Sequence, residues 1–135
     1  MYNDNRAIEE AKDINVVAKA HCARHGYQFA ASFGLSKVLW LQRKHPEIWK
    51  KTSKIIHSAD FIVGKLTGEF SISDYSNALK TGYDLLDLRW PSFITKELNL
   101  PEILSTTGVL ELFNVMFTRE EFFDFVNEII QKRVE

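Results

Sequence analysis

His21 and His25 stand four residues apart with Cys22 beside the first, a spacing that puts both imidazoles on one face of a helix, as a metal ion requires. No third ligand follows at motif spacing, so the pair reads as solvated side chains of an ordinary helix and no metal is expected. Cys22 is the single cysteine, so it closes no internal disulfide, which fits a reducing cytoplasm. It carries no nucleophile signature and reads as a small core residue. Phosphoryl chemistry asks for backbone amides that cradle phosphates, a bound metal and a base in one cleft. The six glycines, Gly26, Gly34, Gly64, Gly68, Gly82 and Gly108, are scattered and form no such loop.

A second set of residues suits turns. Thr67-Gly68 permits a sharp bend after a helix, because glycine takes positive φ without a side-chain penalty. Asp74 and Asn77 can hydrogen-bond nearby backbone amides and fix the turn that follows. Such residues shape a wall; they make and break no bonds.

The elements that would hold them are mostly helices. Ala7, Ala11, Ile14, Val17, Ala18 and Ala20 recur at three- and four-residue spacing, which predicts one helix over 6–24 with a stop at Gly26. A loop of small residues leads to a second helix over 35–43, and Pro46 breaks it or opens the next turn. One or two helices follow over 47–66. Phe70–Ser73 alternates as a short strand, a helical turn runs through Asn77–Lys80, and Thr81–Leu86 reads as extended. Pro91–Leu98 predicts a short helix with proline at its first position. Thr118-Arg-Glu-Glu121 is a capping-box pattern before the apolar stripe Phe122, Phe125, Val126, Ile129 and Ile130. Trp40, Trp49 and Trp90 read as packing residues. The sum is a mainly α chain with two or three short strands.

Composition bounds the function. At 135 residues with 45% hydrophobic content, the chain suits one globular domain with a sizeable core. A net charge of −1 argues against nucleic-acid partners, since no basic excess is present to replace phosphate counterions. No apolar run approaches the roughly 20 residues of a membrane helix. The polar residues after Met1 are not those of a secretory leader, so the expectation is a cytoplasmic protein.

Three blocks carry a resemblance. Tyr2-Asn3-Asp4-Asn5-Arg6-Ala7 is similar to a Trp-x-Asp-x-Arg segment. Ser32-Phe33-Gly34-Leu35-Ser36-Lys37-Val38-Leu39-Trp40-Leu41 with His45-Pro46-Glu47-Ile48 is similar to a helix beside a sugar site. Asp60–Trp90 combines Leu-Thr-Gly-Glu, Asp-Tyr-Ser-Asn-Ala and an Asp…Trp ending. Together they resemble the first domain of the FGGY carbohydrate kinases, which phosphorylate sugars and polyols with ATP, over roughly residues 1–105. Asn77–Asp84 looks most like the pentulose kinases. The resemblance implies a partial actin-like, ribonuclease-H-like α/β domain over 1–108, followed by a divergent helical tail over 109–135.

It also implies a sugar or polyol substrate held by Tyr2, Asp4, Arg6, Ser32 and Phe33. Asp4 and Arg6 could clasp vicinal hydroxyls through charge-assisted hydrogen bonds, and Tyr2 stands where the family usually has tryptophan. The Asp-x-Gly-Thr phosphate loop and the catalytic aspartate of the family have no counterpart in these residues. ATP and magnesium are thus implied for a complete family member and not for this chain alone, and no residue here is assigned a catalytic role. The expectation is the sugar-side part of a kinase, inactive by itself. The alternative is a non-catalytic module that self-associates, as a homodimer, through apolar surface left bare.

Overall fold

The computed structural model describes residues 4–70 and 73–100. Tyr2, two residues of the expected strand at 70–73, and the expected helix Thr118–Arg133 lie outside them.

Helices α1 (Ile8–Val17) and α2 (Lys19–His25) occupy the stretch expected as one helix. The break falls at Ala18, whose φ of −91° and ψ of 15° leave the helical well. Downstream backbone holds it there: the Asn15 amide donates to the Phe29 carbonyl (2.9 Å) and accepts from the Phe29 N–H (2.8 Å). The chain that turns back at Gly26 (φ 72°) is thereby stitched to α1. Ala7, Ala11, Ile14, Ala18 and Cys22 form the buried stripe, whereas Val17 and Ala20 face out.

Helix α3 (Gly34–Lys44) is the central element. Leu35, Ser36, Val38 and Leu39 are buried on it, and the Ser36 hydroxyl donates to the Ala30 carbonyl at 2.9 Å. It packs against α1, against α4 (Pro46–Trp49) and against α6 (Tyr75–Lys80). Arg43 reaches back to Asp13 of α1 at 2.6 Å. Ile14, Leu35, Leu39, Ile94 and Leu100 are fully buried, with Phe29, Phe93 and Leu98 around them, so the core lies between α1–α2, α3 and α7 (Ser92–Lys96).

Helix α5 (Ser58–Thr67) ends at Gly68, which adopts φ 80° as the left-handed cap. The Thr67 hydroxyl donates to the Val63 carbonyl and accepts from the Glu69 N–H. Asp74 caps α6 by accepting from the Asn77 N–H at 2.9 Å, a type of contact worth about 1 kcal/mol.

Two expectations change. Thr81–Leu86 is no extended strand: Thr81 and Gly82 close α6, and residues 84–89 form a tight hairpin joined by the single bridge Asp84–Arg89. Asp84 causes this, because its carboxylate accepts from the N–H groups of both Leu86 and Asp87 at 2.9 Å and curls the chain. Among the described residues that bridge is the only strand-like pairing, so the two or three expected strands are not found there. Pro91 is the N-cap of α7 and not its first residue. No helix of the described residues is long and apolar enough to cross a membrane.

Candidate functional site

A cavity of about 680 Å³ opens between α3, the start of α5 and the end of α6. Its floor is apolar (Val38, Leu41, Ile55, Ile56) and its rim is polar: Ser32, Lys37, His57, Ser58, Asn77, Lys80 and Thr81. Hydroxyls, an amide and two ammonium groups above an apolar floor suit a small ligand rich in hydroxyls or oxyanions. The described lining residues include no carboxylate, so they do not supply the oxygen ligands that magnesium prefers.

His57 is the fixed point of the rim. The Thr81 hydroxyl donates to the Asn77 carbonyl (2.8 Å), so at Thr81 the His57 Nε2–H must be the donor (2.9 Å). The other ring nitrogen accepts the Asp60 backbone N–H, while the Asp60 carboxylate accepts from the His57 N–H at 3.2 Å, a reciprocal cap of α5. The Ser73 hydroxyl also donates to that carboxylate, at 2.9 Å. Both ring nitrogens are therefore used in the neutral form. Burial lowers the His57 pKa, and Lys80 adds to this, against the raising influence of Asp60 and Asp74. Unfolded histidine, near pH 6.5, takes its proton first, so the stability His57 contributes is complete above that pH and lost as pH falls through its lower folded value. Urea midpoints should thus fall between about pH 7.5 and about pH 5.5, and fall less steeply in His57→Gln. Equal slopes in both proteins would refute this.

Asp4 and Arg6 form one bidentate ion pair, Nε to Oδ1 at 2.9 Å and Nη2 to Oδ2 at 2.8 Å. That hydrogen bonding holds the Asp4 carboxyl far below the usual carboxylate range. The Arg6 guanidinium lies 4.7 Å over the Trp40 ring. This pair lines a smaller pocket of about 180 Å³ with Lys37, Trp40 and Leu41. Lys37 and Leu41 line both pockets, so α3 joins the Asp4–Arg6 patch to the Ser32 rim.

Phe33 does not line either pocket; it packs partly buried against the core beside Tyr27 and Phe29. Asn77, read as a turn residue, also lines the larger cavity, whereas Asp74 stays at the cap of α6. Lys37, His57, Lys80 and Thr81 were missed, although Lys37 lies inside a quoted block and His57 and Asp60 keep the i, i+3 spacing of a cap.

The histidine pair is not solvated. The side chains of His21 and His25 are 6% and 5% exposed, and Asp84, 8% exposed, stands beside them. Burial lowers the His21 pKa, and the neighbouring His25 ring lowers it further. Cys22 is buried, as expected, and burial raises its thiol pKa.

A model of the FGGY family of carbohydrate kinases, N-terminal domain, matches residues 1–123. The xylulose kinase of Lactococcus lactis is 36% identical over 83 residues, covering 56% of this chain and 16% of that protein. The xylulose kinase of Escherichia coli is 31% identical over 81 residues, covering 60% and 16%. The autoinducer-2 kinase of Klebsiella pneumoniae is 29% identical over 92 residues, covering 64% and 17%. The aligned segments thus span less than a fifth of these relatives. No solved structure matches.

Proposed function

The chain belongs to the FGGY family of carbohydrate kinases, and on that premise we propose that it forms the sugar-side wall of the cleft of an ATP-dependent pentulose-type kinase. The observation that carries this is the pair of adjoining pockets on α3, with Ser32 on one rim and Asp4–Arg6 in the other. The Asp4 carboxylate accepts and the Arg6 guanidinium donates, a pairing suited to adjacent sugar hydroxyls; Ser32, Asn77 and Thr81 add neutral partners across Lys37. The described helices fit the helical part of the actin-like domain that this reading entails.

The cavity does not fit magnesium-bound ATP. Its described lining residues offer no carboxylate for the metal and no glycine-rich backbone for the triphosphate. The 135-residue polypeptide by itself is therefore expected to be inactive. Coupled assays with ATP, magnesium and D-xylulose, D-ribulose or glycerol should stay at background. Turnover above background would overturn the inactivity. Binding is tested separately by titrating D-xylulose into labelled protein: amide shifts should cluster at Arg6, Ser32, Lys37 and Thr81, and their absence at saturating sugar would overturn the wall.

A second reading rests on α5, where Phe61, Ile62 and Leu66 are 44%, 57% and 50% exposed. This apolar face suits self-association of a non-catalytic module. Sedimentation of a single monomeric species at high concentration would exclude it.

A further inference from the structure

With both rings neutral, the hydrogen bonds around His21 and His25 leave two lone pairs facing the Asp84 carboxylate. The His25 Nδ1 lies 3.0 Å from the His21 carbonyl, which can only accept, so Nδ1 carries a proton and, in the neutral ring, Nε2 holds the lone pair. That Nε2 is buried, lies 3.1 Å from Asp84 Oδ1 and makes no hydrogen bond, being out of line for one. The Tyr27 hydroxyl donates to the Leu79 carbonyl (3.3 Å), so the His21 Nε2 donates to Tyr27 (3.0 Å). The His21 Nδ1 then presents its lone pair toward Asp84 Oδ2, 3.9 Å away. Lone pairs set against a carboxylate repel unless a cation lies between them, either a second ring proton or a metal ion.

We propose that His21 Nδ1, His25 Nε2 and the Asp84 carboxylate form a binding site for a divalent transition metal of the zinc type, clamping α2 to the hairpin at 84–89. The three ligand atoms lie within 4.8 Å of one another. Ligands of a tetrahedral zinc ion sit roughly 3.3 Å apart, given zinc–nitrogen bonds near 2.0 Å, so small side-chain rotations close the set. Two imidazoles and a carboxylate are the donors such ions prefer, and they leave a fourth position for water. The second shell is already built, since the His21 carbonyl and the Tyr27 hydroxyl fix the tautomers as metal-bound histidines require.

Arg24 is the competing cation. Its Nη1 reaches Asp84 Oδ2 at 3.2 Å, but it also pairs with Asp87 through two contacts of 2.8 and 2.5 Å. It can give up Asp84 and keep that fork.

The test uses the full 135-residue chain, stripped with chelator and titrated with cobalt(II) and then zinc. One cobalt ion should bind with the visible absorption of a low-coordinate nitrogen–oxygen site, and zinc should displace it. Tyr27→Phe, a positioning variant that keeps the ring, should weaken affinity by about 10- to 100-fold. His25→Gln should abolish binding, and His45→Gln should leave it unchanged. In imidazole-detected spectra of the unmodified chain, zinc should move the His21 and His25 signals and leave His45 and His57 in place. That spectrum decides the matter should His25→Gln fail to fold. Lack of cobalt binding, binding retained in folded His25→Gln, or shifts confined to His45 and His57 would each overturn the site. Undiminished affinity in Tyr27→Phe would overturn the role given to the tautomers.

Discussion

Replacing Leu35 by alanine is expected to lower the unfolding free energy by about 2–5 kcal/mol, the range for truncating a fully buried leucine. Leu35 is 0% exposed and sits on α3 where α1–α2 and α7 converge. Its neighbours Ile14, Leu39, Ile94 and Leu100 are themselves fully buried, so the cavity cannot collapse cheaply. Such a loss is a large part of the 5–15 kcal/mol that keeps a domain of this size folded. The same helix carries Lys37, Val38 and Leu41 into the larger pocket, so loosening α3 should also broaden the amide signals of that rim. Urea unfolding followed by the fluorescence of Trp40, Trp49 and Trp90 measures the change. Ile62→Ala, at a position 57% exposed, should stay within about 0.5 kcal/mol and is the control. A Leu35→Ala loss no larger than that of Ile62→Ala would mean that the core does not lie where α3 places it.

What the sequence made readable was local. The alternation of alanines and aliphatics from Ala7 to Cys22 reports a buried stripe because side chains three and four residues apart share a helix face wherever they end up. Gly26 and Gly68 mark helix ends for an equally local reason, the left-handed backbone that glycine adopts freely. The break at Ala18 was not readable. It is set by Asn15 gripping Phe29, a contact fourteen residues away that no spacing rule encodes. The hairpin at 84–89 escaped for a related reason: Asp84 reads as one more polar residue until its carboxylate is seen to collect two backbone amides.

The site divides along the same line. Asp4 and Arg6 are two residues apart, and both were singled out as a pair, although the pair's pocket with Trp40 depends on α3 folding back over it. His21 and His25 keep metal-ligand spacing, but their third partner lies 59 residues beyond His25 in sequence number, so the pair looked incomplete and solvated. Burial could not be inferred either, because Phe93 of α7, Phe29 and Tyr27 pack on the His21 ring and Tyr27 meets the His25 ring. Lys37, His57, Lys80 and Thr81 meet at one cavity from three helix ends, and only the packing of those ends made them a group.

Gly82→Ala should incur two separate penalties at once, backbone strain and crowding of the core. Gly82 adopts φ 98°, a conformation that costs a side-chain-bearing residue about 1–3 kcal/mol. A Cβ there would also lie 3.0 Å from both Ile94 Cδ1 and Leu35 Cδ2, and overpacking of a filled core adds about 1–3 kcal/mol. The entropy that alanine removes from the unfolded chain offsets only about 0.4–1 kcal/mol. The net expectation is a loss of about 1–5 kcal/mol, summed from these terms. Gly26→Ala separates the causes. Its φ is 72°, yet nothing lies within 4 Å of the added Cβ, so it carries the backbone strain without the clash and should cost less. The double variant Leu35→Ala with Gly82→Ala makes the argument sharper, because truncating Leu35 vacates one of the two atoms the new methyl would strike. Its loss should fall short of the sum of the single losses by about 0.5 kcal/mol or more. Strict additivity, or a Gly26→Ala loss equal to that of Gly82→Ala, would show that the turn after α6 is held by its backbone alone and not by contact with the core.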